Sequence, residues 1–162
     1  MKLDVKMNAD DVVKKLERMI SLKGNFAPLF VKILGTVNDG STLTLRGASA
    51  RMFTSQSGPS GTAWKPLNPF YEEQKAKKYP GKTILIRRGD LFRSLVATTG
   101  ASVAQIQPTK LIYGTAIPYA VFHQFGTKFM PARKMLGISA KQRKTFKQMT
   151  ADYVRAAWEG KK

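Results

Sequence analysis

The only imidazole in the chain, His123, lies in the stretch Pro118-Tyr119-Ala120-Val121-Phe122-His123-Gln124-Phe125-Gly126. A lone histidine works as a general base only when it stands between a nucleophile and an orienting acid. Asp90 is the one carboxylate between Glu73 and Asp152, and no Gly-x-Ser-x-Gly elbow offers a serine to such a pair. Paired-carboxylate catalysis needs two acids facing each other across a substrate, whereas the neighbours Asp10-Asp11 and Glu72-Glu73 diverge if they lie on helices. The chain has no cysteine, which removes disulfides, zinc ribbons, iron–sulfur ligation and thiol chemistry together. One histidine and scattered acids supply no three-ligand metal set. Neither Gly114-Thr115 nor Gly58-Pro59-Ser60-Gly61 has the glycine spacing of a phosphate-binding loop. The expectation is therefore no catalytic residue, no metal, no cofactor and no small-molecule substrate. The plain reading of His123 is a ring one helical turn after Tyr119 that hydrogen-bonds a backbone group at the edge of the core.

Charge is the strongest compositional signal. There are 28 Lys and Arg against 10 Asp and Glu, a formal net charge of +18. No carboxylate occurs from Leu91 to Ala151, while Arg93, Lys110, Lys128, Arg133, Lys134, Lys141, Arg143, Lys144 and Lys147 all do. Such a field attracts nucleic acid or an acidic protein surface without reading sequence. Lys141, Arg143, Lys144 and Lys147 fall in the first turns of an expected helix, the wrong end of its dipole for positive charge, at a cost of a few tenths of ~1 kcal/mol each. They are the candidate polyanion contacts, with a simple solvated helix face as the alternative. Phe92, Tyr113 and Phe129 are equally readable as base-stacking or as core residues.

The elements that would position these residues make one α+β domain over 1–162: a small antiparallel sheet packed by N-terminal and C-terminal helices. Helical spacing is expected from Asn8 to Lys23 and from Asn25 to Val37, the two forming a helical hairpin. From Asn38 the pattern dissolves, and the Gly/Ser-rich run over 54–62, without side chains that burial could fix, is expected to be a mobile loop. Packing resumes at Trp64. Asn68 then caps a helix to Lys78 with Pro69 in its first position, and Tyr79-Pro80-Gly81 stops it. Thr83 to Ile86 reads as a short buried segment and Asp90 to Leu95 as a turn or two of helix. Ser94–Thr99, Ser102–Gln107 and Lys110–Thr115 have the spacing of an antiparallel meander. A short helix from Pro118 to Phe125 is closed by Gly126, and Ser139 caps a long final helix to Trp158. No apolar run approaches the roughly 20 residues that span a bilayer, and the first residues are too polar for a signal h-region, so a soluble protein is expected.

With little chemistry on offer, the order of short motifs is the best clue. Gly61-Thr62-Ala63-Trp64-Lys65-Pro66-Leu67, Lys82-Thr83-Ile84-Leu85, Gly89-Asp90-Leu91-Phe92-Arg93-Ser94-Leu95, Gly114-Thr115, Pro118-Tyr119-Ala120, His123-Gln124-Phe125-Gly126, Pro131-Ala132-Arg133 and Leu136-Gly137 follow one another. In this order they resemble the phage virion morphogenesis, or tail-completion, family of Mu-like and related tailed phages and prophages. Lys134-Met135 and the polar stretch 39–47 depart from that pattern. The resemblance implies a non-enzymatic virion part at the tail end or head–tail junction, a tail completion or terminator protein or a neck component, assembling as a hexameric ring. It implies partners in the chain itself and in other phage tail or connector proteins, with nonspecific DNA contact as an addition. The place would be the virion, and the host cytoplasm during assembly. The motif residues Trp64, Gly89, Leu91, Tyr119, His123, Gln124, Phe125, Gly126, Pro131 and Arg133 would then be structural or interface residues. Gly126 permits a backbone reversal, and Arg133 offers a planar donor head to carbonyls or to a neighbour's carboxylate, inside the subunit or across a ring interface. The alternative function is sequence-nonspecific nucleic-acid binding through the basic C-terminal half.

Overall fold

The computed structural model describes residues 24–37 and 40–159, together with 13, 14 and 17. Most of the helix expected from Asn8 to Lys23, and with it the proposed helical hairpin, lies outside the described residues. Helix α1 spans Ala27–Leu34, with Pro28 in its first turn and Leu29, Ile33 and Leu34 buried. It stops at Gly35, three residues short of the expected end at Val37's turn, because Gly35 adopts φ +78°.

Helix α2, Leu45–Thr54, occupies part of what the sequence presents as loop. Thr44 caps it by accepting a hydrogen bond from Gly47 N at 3.2 Å. Ala48, Ser49, Met52 and Phe53, one and two turns on, form its buried face. The expectation of loop from Asn38 onward fails here for a physical reason. Gly47, Ala48, Ser49 and Ala50 carry too little apolar surface to show helical periodicity, yet Ala48 and Ser49 are buried. The run 54–62 is also more tied than its composition suggests. Gly58 N donates to Thr62 O at 2.9 Å, Gly61 N to Gly58 O at 2.9 Å and Ser57 N to Met52 O at 3.1 Å, and Ser57 and Gly58 are buried.

Helix α3, Pro69–Lys78, starts where Asn68 and Pro69 place it, the Asn68 carboxamide accepting from Phe70 N at 3.0 Å. Residues 83–86 form a half-buried turn packed on the core, with Leu85 at φ +63°. Helix α4, Asp90–Val96, follows Gly89, whose φ of +87° sets the entry of the chain. Two strands, β1 (Ser102–Ile106) and β2 (Leu111–Thr115), make one antiparallel hairpin in the register Ser102–Thr115 to Ile106–Leu111. The expected third meander segment, 94–99, belongs instead to the end of α4 and its exit: Ser94 and Leu95 are more valuable pointing into the core than along a sheet edge. Helices α5 (Ala120–Phe125) and α6 (Ala140–Glu159) complete the described chain.

The core lies between α2 and α4 and under the segment that links α5 to α6. Phe53 is fully enclosed, meeting Trp64 edge-on at 5.6 Å and Phe92 at 5.4 Å between ring centroids. Leu91, Leu95, Ala120 and Met135 close the cluster. Each fully buried large side chain stabilises the fold by about 1.5–3 kcal/mol. Phe92 and Tyr113 both serve this core. Tyr113 Oη is hydrogen-bonded to Leu95 O at 2.7 Å and to Ser49 Oγ at 2.8 Å, and burial raises its phenol to about 12. Helix α4 lies against both strands, and α1 touches the strands and α6. Ser139 and Gln142 form a capping box at the start of α6, Ser139 N donating to Gln142 Oε1 at 3.0 Å and Gln142 N to Ser139 Oγ at 3.2 Å. The Gln142 amide then reaches Thr44 O at 3.2 Å, which pins the start of α6 to the start of α2.

Candidate functional site

Most of the sequence-marked residues converge on one joint, where the segment after α5 is fastened to the segment before α3. Trp64 Nε1 donates to Lys134 O at 3.0 Å. Arg133, only 4% exposed, sends Nε to Lys65 O and one terminal nitrogen to Pro66 O, both at 2.8 Å. The guanidinium thus works within its own subunit, as a two-pronged clip on consecutive carbonyls. Gln124 does the equivalent with a carboxamide: Oε1 accepts from Met135 N at 3.0 Å and Leu136 N at 3.1 Å, and Nε2 donates to Leu136 O at 2.8 Å. A side chain here imitates a strand neighbour.

Gly126 makes the reversal possible. Its φ is +79°, and a Cβ built on it would stand 2.8 Å from Ala132 N and 2.9 Å from Met130 O. Arg133 N then reaches back to His123 O at 2.7 Å. On the other side, a Cβ on Gly137 would fall 2.5 Å from Pro59 Cγ, so the 54–62 turn and the 131–137 segment are in direct contact. Leu91 sits in the core beside this joint, and Gly89 opens α4 with Asp90 paired to Arg93 at 2.6 Å.

His123 lies at half-burial against Tyr119, ring centroids 5.9 Å apart and edge-on. Its Nδ1 is buried without a partner. The expected backbone hydrogen bond through the ring is therefore absent at that nitrogen; the residue is tied through its main-chain carbonyl instead. Burial, and secondly the nearby Arg133 guanidinium, hold the imidazole below its ordinary value.

The joint also walls a cleft of about 760 Å³. Pro66, Leu67, Tyr71, Leu85, Ile86, Tyr119, Met130 and Pro131 give it apolar sides, Phe129 stands at its rim 92% exposed, and Lys75, Arg87, Arg88 and Arg133 give it positive charge. Among the described residues no Ser, Thr or Cys lines it. Lys75 is 8% exposed, its Nζ hydrogen-bonded to Thr83 O, and burial followed by repulsion from Arg133 lowers its value. Sequence reasoning did not single out Lys75, Tyr71, Arg87 or Arg88; the doubled arginine before Gly89 was the available signal. Among the described residues no group of three or more His, Cys, Asp or Glu could hold a metal ion.

Two further surfaces stand apart from the cleft. Lys141, Arg143, Lys144 and Lys147 are all exposed on the first two turns of α6, where Arg143, Lys144 and Lys147 edge a shallow depression. Along α5 and the turn after it, Tyr119, Val121, Phe122, Phe125 and Phe129 are 45–92% exposed. No helix among the described residues is long and apolar enough to cross a membrane.

Comparison with known proteins finds a curated relative and a matching family. A curated relative, Mu-like prophage FluMu G protein 1 of Haemophilus influenzae, is 36% identical over 115 residues, 66% of this chain and 74% of the relative. No solved structure matches the chain. The model of the phage virion morphogenesis family matches residues 8–155, so the chain belongs to the phage virion morphogenesis family.

Proposed function

We propose that this protein is a non-enzymatic assembly part that completes the tail end or the head–tail junction, as a tail terminator or neck component, and that it works as a ring of identical subunits. The observation that carries the reading is the use made of the motif residues. Trp64, Gln124, Gly126 and Arg133 are consumed in fastening the chain to itself, and the result is a support for the exposed apolar side chains Val121, Phe122, Phe125 and Phe129. Large exposed apolar side chains grouped on one short segment of a small basic domain are the expected form of a protein-docking surface. A closed ring needs a heterologous contact, in which two different patches of one subunit meet on successive neighbours. Self-repulsion of subunits carrying +18 makes such a ring sensitive to salt and favours assembly only on an acidic platform.

The test is complementation. A phage or prophage deleted for this gene is expected to accumulate separate heads and tails, and the Phe122→Ser, Phe125→Ser double variant, shown by circular dichroism to be folded, is expected to leave them unjoined. Normal numbers of joined, infectious particles from either strain would end the proposal.

The exposed cations at the start of α6 favour a second reading, sequence-blind contact with DNA. Titration against duplex DNA at several salt concentrations reads it. Binding should weaken steeply with salt and fall when Lys141, Arg143, Lys144 and Lys147 become Gln; absence of binding at low salt refutes it.

A further inference from the structure

The cleft beside the clamp has a floor that its own chain leaves electrically unanswered. Lys75 and Arg133 are buried to within a tenth of their surface, and both face the same space. Their hydrogen bonds go to main-chain carbonyls, of Thr83, Lys65 and Pro66. Among the described residues neither has a carboxylate within ion-pair distance. Arg133 weighs on Lys75 more heavily than the nearest opposing charge, Glu72, one turn earlier on α3. Arg87 and Arg88 add two cations at the mouth, Arg87 resting over the Tyr79 ring at 5.2 Å. The one acid on the lining among the described residues, Asp90, is held by Arg93.

Buried like charges without a counter-ion are costly, and a carboxylate brought into the cleft would remove that cost while gaining charge-assisted hydrogen bonds. The walls add a second requirement. Leu67, Tyr71, Ile86, Tyr119, Met130 and Pro131 form an apolar surround that only an apolar group would fill. At about 760 Å³ the cleft is of ordinary ligand-pocket size, and its carbon-rich lining is unlike the charged groove that tracks a phosphate backbone.

We propose that this cleft is a docking site for an extended segment of another protein, in which an Asp or Glu side chain seats over Lys75 and Arg133 while an adjacent aromatic or aliphatic residue packs between Tyr71, Tyr119 and Met130. The proposal is independent of whether the protein sits in a tail or a neck; it concerns one face of the folded subunit. A second copy of this chain is a poor occupant, since the chain carries nearly three basic residues for each acidic one.

The experiment uses the full-length protein and a displayed library of random eight-residue peptides, followed by synthesis of the selected sequences and measurement of binding by fluorescence anisotropy. Selected peptides are expected to carry an acid next to an apolar residue and to lose at least fivefold in affinity when that acid is replaced by its amide. Arg87→Gln with Arg88→Gln, at exposed positions that leave the fold intact, is expected to give a similar loss, and Lys141→Gln with Lys144→Gln at the start of α6 is not. Selection without enrichment of acids, binding indifferent to Arg87 and Arg88, or displacement of the peptide by duplex DNA at equal charge more readily than by unlabelled peptide would each overturn it. Failure of complementation by the aromatic-face variant has no bearing on these readouts, so the two proposals fall separately.

Discussion

Replacing Gly126 by alanine places one methyl group where the reversal after α5 has no room for it. The backbone there adopts φ +79° and ψ 178°, a region essentially reserved for glycine, so any side chain costs about 1–3 kcal/mol before it touches anything. The new Cβ would then lie 2.8 Å from Ala132 N and 2.9 Å from Met130 O, and both are main-chain atoms that cannot swing aside. Overpacking of this kind adds about 1–3 kcal/mol. The sum, about 4 kcal/mol at its centre, corresponds to a melting temperature lower by about 8–16 °C for a chain of this size. Gly81→Ala is the matched control, because Gly81 has φ +70° with nothing within 4 Å of a built Cβ. It should lose only the conformational part, about 1–2 kcal/mol. Thermal unfolding followed by far-ultraviolet circular dichroism at fixed salt reads both. Equal losses for the two variants would refute the close approach of residues 130–132 to Gly126, and with it the geometry of the clamp.

Arg133→Lys keeps the charge but not the fork, so Lys65 O and Pro66 O lose their paired donors; a destabilisation of about 2–3 kcal/mol by urea unfolding is expected, and an unchanged midpoint would contradict the clip. Tyr113→Phe leaves Leu95 O without its partner and should cost about 1–3 kcal/mol in the same assay, with no loss contradicting the buried hydroxyl network. His123 is held below its ordinary 6.5 by burial and then by Arg133, so the unfolded chain takes up a proton first as pH falls. Stability should therefore be full above about pH 6.5, decline below it and level off once the folded imidazole is protonated; His123→Gln should shrink the difference in urea midpoint between about pH 7.5 and about pH 5.5, and an undiminished difference would assign that dependence elsewhere.

How much of this was legible in the sequence depended on whether the signal was local. Asn68-Pro69 and Ser139 announce helix starts because capping chemistry acts within three residues, and α3 and α6 begin where those residues put them. Helix α2 was hidden because its buried face is made partly of Ala48 and Ser49, whose burial is visible only once the partner element is known. The segment 94–99 misled because Val96, Thr98 and Thr99 suggest a strand, while Ser94 Oγ is in fact bonded to Leu91 O within the helix at 2.9 Å and lies 2.8 Å from Thr115 Oγ1 of β2. The motif residues were recognisable as a set, but nothing in their spacing says that Arg133 bonds residues 67 and 68 positions earlier. The cleft is less legible still, since Lys75 and Arg133 come together only through the fold.

The Trp64–Lys134 and Arg133–Lys65 bonds also set an order of events during synthesis. Trp64 leaves the ribosome some seventy residues before the carbonyl that satisfies its indole, and Met135, fully enclosed in the finished core, arrives with that same late stretch. Contacts of such sequence separation slow folding, because the loop must close before they reward it. A chain that stops before Lys134 lacks both the acceptor for the Trp64 indole and the Met135 side chain, and its interior stays open on that side.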